Sequence, residues 1–89
     1  MSYNTGMDEL TQKSLDCRVQ LAQIQNRRAR RDLQIMLDAA DKHLTELSKE
    51  AVTCRRQQRT TRQYEEIYHR AEQAFGNFEQ HLFLAKLKY

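Results

Sequence analysis

Proline and tryptophan are absent from this chain, and its only glycines are Gly6 and Gly76. Nothing between Met7 and Phe75 therefore obliges the backbone to break, which favours helices over turn-rich architectures. Two isolated glycines also cannot line a phosphate cradle of the Walker type. Cysteine is scarce: Cys17 and Cys54 are too few for a disulfide scaffold and lack the paired spacing of a zinc site. Both fall where helix faces are expected, as small apolar side chains. His43, His69 and His81 stand 26 and 12 residues apart, none of them three or four residues from another histidine or a cysteine. We therefore expect no catalytic residue, no metal, no cofactor and no small-molecule substrate. No apolar run approaches the roughly 20 residues that cross a bilayer. The polar start, followed by Asp8 and Glu9, does not resemble a secretory signal. A cytoplasmic protein without a membrane partner is the expectation.

What the chain does contain is apolar residues returning at threes and fours, the period of an amphipathic helix. The clearest run is Leu33, Met36 or Leu37, Ala40, Leu44, Leu47, Ala51 and Cys54, which forms three consecutive heptads. Before it lie Leu10, Cys17, Leu21 and Ile24, flanked by Leu15, Val19 and Ala22. After it comes an aromatic-rich stripe of Tyr64, Ile67, Tyr68, Ala71, Ala74, Phe75, Phe78 and Leu82. Thr5, with Asp8 three residues on, has the form of an N-cap. Thr60 and Gln63 have the form of a capping box. The spacing predicts a short flexible N-terminus over residues 1–5 and one helical domain over 6–89, with helices near 6–26, 31–56 and 61–88. Gly76, inside the third stripe, costs about 1 kcal/mol relative to alanine and marks a kink or a close helix approach. The last segment, from Leu82 to Tyr89, carries apolar groups on more than one face, so it is either buried or docks on something.

The fold class is all-α, either an antiparallel three-helix bundle or a long hairpin. A chain of 89 residues buries only about 60–65 % of its unfolded surface, which makes a lone monomer marginal. Completion by a homodimer or a helical protein partner is therefore expected. The seam assigned to it is Leu33, Leu37, Leu44, Leu47, Ile67, Tyr68, Phe75, Phe78 and Leu82, and Tyr64, Tyr68 and Tyr89 add natural contact points with an apolar body and a polar tip.

Two stretches interrupt the apolar rhythm, residues 25–32 and 55–63, and they hold eight of the ten arginines. Net charge is only +3, so it understates the local field. If residues 55–63 are helical, Arg55, Arg59 and Arg62 line one face with Arg56 beside them. Arg27, Arg28 and Arg31 form a second ridge, and in a hairpin folded near Leu44 the two ridges merge. Guanidinium is the better fork for phosphate and carboxylate oxygens, so such a face suits a nucleic-acid backbone, duplex RNA first. The alternative is that arginine and glutamine merely solvate long helices.

In size, helicity and charge the chain resembles small helical-hairpin secretion chaperones and, separately, the dimeric helical silencing suppressors of RNA viruses. The first resemblance implies an adaptor that holds a helical client, and the second a binder of duplex RNA. Neither supplies a residue-by-residue match, so no site is carried over. The sequence thus points to a non-enzymatic interaction protein acting through its apolar stripes, with RNA binding through the arginines as the alternative.

Overall fold

The computed structural model describes residues 3–88, with side chains from residue 6 onward. Three helices follow one another: α1 over Tyr3–Ala22, α2 over Arg27–Gln57 and α3 over Arg62–Lys88. No strand occurs among the described residues. Thirty-one residues at about 1.5 Å each make α2 roughly 46 Å long, and the molecule measures 47 × 16 × 15 Å. Helix α2 is thus the full-length strut against which α1 and α3 pack. The three-helix bundle is the architecture present, and the hairpin folded near Leu44 is not, because α2 passes through that residue unbroken.

Chain breaks occur where the sequence offers hydrogen-bonding side chains rather than glycine. Asn26 caps α2, its Oδ1 accepting from the Ala29 amide at 2.9 Å. The first patch is therefore a turn only up to Asn26 and helix from Arg27 on. At the far end Gln58 takes the left-handed conformation, φ 56° and ψ 34°. Its amide bonds to the Arg55 carbonyl, and the Arg59 amide bonds to the Cys54 carbonyl, which is a Schellman closure built without glycine. Thr61 then starts α3: its hydroxyl oxygen accepts from the Tyr64 amide at 3.1 Å and donates to Glu50 at 2.7 Å. The capping hydroxyl is Thr61, not the expected Thr60. Helix α1 is shifted relative to expectation, beginning at Tyr3 and ending at Ala22 instead of near residue 26. Residues 3–5 of the predicted flexible N-terminus are already helical, so Thr5 lies within α1 instead of capping it; residues 1 and 2 lie outside the described residues.

The core is a single cluster of the three stripes: Leu10, Cys17 and Leu21 from α1, with Ile24 from the turn that follows it; Leu33, Leu37, Ala40, Leu47, Ala51 and Cys54 from α2; Tyr64, Ile67, Ala71, Phe75, Phe78 and Leu82 from α3. Leu44 and Tyr68 pack against it half-buried. Polar ties hold α1 in place. Asp41 on α2 accepts from Ser14 at 2.7 Å and pairs with Arg18. Lys13 meets Glu79 on α3 at 3.2 Å, and Lys86 donates to Gln20 at 2.9 Å.

The close approach expected at Gly76 is found at Gly6 instead. Gly76 is exposed, lies in uninterrupted helix, and a Cβ there would touch nothing within 4 Å. It marks no close approach. Gly6 does: a Cβ would come to 2.7 Å from the Tyr68 ring, so a side chain at residue 6 would require that ring to shift. Gly76→Ala should accordingly raise unfolding free energy by about 0.5–1 kcal/mol, read as a shifted urea midpoint at unchanged slope. Lower stability would mean that α3 bends at this residue.

Candidate functional site: two basic ends and an open groove

The seam assigned to a partner is occupied within the chain. Leu33, Leu37, Leu47, Ile67, Phe75, Phe78 and Leu82 are all buried among the chain's own helices. Periodicity alone cannot distinguish a stripe covered by α1 from one left for a partner. Of the tyrosines offered as contact points, Tyr64 is buried and stacks on half-buried Tyr68, with ring centroids 6.2 Å apart. Tyr89 lies outside the described residues.

The arginines are where a partner can reach them. Arg27, Arg28, Arg31, Arg55, Arg56, Arg59 and Arg62 are all exposed. They do not, however, form one face. Twenty-eight residues of helix separate Arg27 from Arg55, about 42 Å, so the patches occupy opposite ends of the bundle. The continuous ridge of Arg55, Arg59 and Arg62 is absent as well, because the chain turns over residues 58–61. Arg59 there donates to Gln57 at 3.1 Å, and Arg62 pairs with Glu66 at 3.4 Å.

The end where α1 turns into α2 is the more basic. Arg27, Arg28, Arg30 and Arg31 fill the first turn and a half of α2, and none meets a carboxylate within ion-pair distance among the described residues. Cations at a helix N-terminus oppose the macrodipole, at about 0.3–1 kcal/mol each near the surface. No acid relieves them in that first turn. Helix α3 runs antiparallel to α2, so its last residues, Lys86 and Lys88, return to this same end. Arg30, Lys86 and Lys88 were not singled out by the sequence. The signal that would have found the lysines is the near-equal length of α2 and α3, which brings the end of one to the start of the other.

Beside these cations runs a shallow open groove between α2 and α3. Its lining includes Ala29, Leu33 and Met36 from α2 and Leu84 and Ala85 from α3, with Arg28, Asp32, His81 and Lys88 around it. Leu84 is 53 % exposed, and Phe83 and Leu87 stand out on the neighbouring surface of α3. The two-faced C-terminal segment is therefore half core, through Leu82, and half open surface.

Among the described residues, nucleophiles and metal ligands are not brought together. Cys17 and Cys54 are free and buried. Burial, with Glu79 nearby, pushes the Cys17 thiol up to about 11, so it stays protonated and unreactive at neutral pH. Nδ1 of His43 is buried without a hydrogen-bond partner among the described residues. No group of histidine, cysteine and carboxylate side chains that could hold a metal ion occurs among the described residues, and none of the described helices is long and apolar enough to cross a membrane. The chain matches no protein-family model, no curated protein and no solved structure.

Proposed function

We propose that this chain is a non-enzymatic helical interaction protein, an adaptor or assembly subunit, that meets its partner at the end of the bundle where α1 turns into α2. The observation that carries this reading is the division of labour among side chains. The apolar stripes are consumed by the core, while four arginines, none of them in an ion pair among the described residues, lie on the surface at the end of the bundle where α3 exposes Phe83, Leu84 and Leu87. Arginine and aromatic side chains are enriched at protein interfaces, and exposed apolar groups rimmed by charge mark them. The test is co-purification from cells that make the protein. The intact chain should enrich one partner reproducibly, and a variant with Arg27, Arg28, Arg30 and Arg31 replaced by glutamine should lose it while keeping its helicity. Retention of the same partner by that variant would sink the reading.

Nucleic-acid binding is the second reading, favoured by the same arginines set against the helix dipole, which a phosphate backbone would relieve. It is tested by titrating labelled duplex RNA, duplex DNA and single strands at about 50 and 200 mM salt. Under the adaptor reading any binding at the lower salt is indifferent to the type of strand and is lost at the higher. Tight binding to duplex RNA that survives the higher salt would replace that reading.

A further inference from the structure

The groove between α2 and α3 suits one class of occupant, and we infer that it seats an acidic amphipathic helix of a partner protein. This rests on the adaptor reading and narrows it to a particular surface. Two antiparallel helices with α1 on only one side leave a fourth-helix position on the other. There the floor is apolar, formed by Leu33, Met36, Leu84 and Ala85, which calls for apolar side chains at helical spacing on the occupant. Arg28 and Lys88 flank that floor from opposite sides, with Asp32 the one acid among its lining. Arg27 and Arg31 lie within a turn of Arg28 on α2.

Charge complementarity therefore selects an occupant with carboxylates beside its apolar stripe. Those carboxylates would also sit at the positive end of α2, supplying the anions that its own first turn lacks. Other anionic partners fit less well. A lipid surface cannot follow a concave floor between two helices, and a phosphate backbone has no use for Leu84 and Met36.

Arg28→Glu gives the test its leverage, because it should act in opposite directions on fold and on binding. An acid in the first turn of α2 favours the helix, so the variant should melt at or above the parent temperature. Docking of an acidic helix should weaken. The probe is a fluorescent peptide of about 18 residues, roughly five helical turns, with leucines at helical spacing and glutamates on their flanks. Its controls are the same peptide with lysine for glutamate and a scrambled version of equal composition.

The intact chain is expected to bind the acidic peptide at least about tenfold more tightly than either control. Arg28→Glu and Leu84→Glu, at exposed positions, should each weaken it by about tenfold or more with helicity unchanged. Equal affinity for the lysine peptide, or acidic-peptide binding untouched by both substitutions, would overturn the inference. So would concentration-dependent self-association abolished by Leu84→Glu, which would make a second copy the occupant. If a cellular partner is lost on replacing the four arginines yet kept by Leu84→Glu, the adaptor reading stands and the groove assignment fails.

Discussion

Leu47→Asp should leave no folded protein under conditions where the parent chain is fully helical. Leu47 is completely buried on α2, within the cluster of apolar side chains that forms the core. An isolated carboxylate there must either be desolvated or stay protonated, and both options cost several kcal/mol. A domain of this size has only about 5–10 kcal/mol of stability to lose. Far-ultraviolet circular dichroism should show the loss of most helical signal at 25 °C. Leu44→Asp, one turn away, is the informative control. Leu44 is only half-buried, so a carboxylate there can reach water, and the protein should remain folded with a lowered melting temperature. Full helicity of the Leu47 variant would mean that α2 does not face the core at this residue.

Phe75→Ala is expected to cost about 3–5 kcal/mol, the usual range for deleting a fully buried phenylalanine. At about 4–8 °C of melting temperature per kcal/mol for a domain of this length, that is a fall of at least about 12 °C. Phe83 lies two turns along the same helix and is 61 % exposed, so Phe83→Ala should shift the melting temperature by no more than about 3 °C. A calorimetric comparison of the two variants tests whether the aromatic stripe of α3 is core on one side only. Equal effects would mean that Phe83 is also covered, by a second copy or by a rearranged C-terminal turn.

The contrast between Phe75 and Phe83 also shows what could be read from the sequence and what could not. Inward-facing positions were legible because helical period alone assigns them. Every position of the heptad run from Leu33 to Cys54 packs in or against the core, as do Ile67, Phe75, Phe78 and Leu82 on α3. The flanks were not legible, since Leu15 and Val19 are as apolar as Leu21 but fall on the far side of α1 and remain exposed. Chain reversals were harder still. Gln58 adopts a conformation that glycine would normally supply, and Asn26 caps a helix whose first turn holds arginines where acids are usual. The arginines were correctly identified as exposed, but their grouping was not. Only the passage of α2 straight through Leu44 separates Arg27 from Arg55, and only the antiparallel return of α3 brings Lys88 beside Arg28 and Lys86 to the same end of the bundle.

The two chain reversals, residues 23–26 and 58–61, are each four residues long, and that brevity governs how quickly the molecule assembles. Helices joined by so few residues meet neighbours that are close in sequence, and helical bundles of this kind fold in microseconds to milliseconds. The α2–α3 hairpin holds the large aromatic contacts of Phe75 and Phe78 and is the natural nucleus. Helix α1 brings a slimmer stripe and ties such as Ser14 to Asp41 and Lys13 to Glu79, so it docks last and detaches first. A chain emerging from the ribosome makes α1 before either of its supports exists. Helix α1, synthesised before α2 and α3, is thus the last of the three to find its place, and its apolar face waits uncovered until α3 is complete.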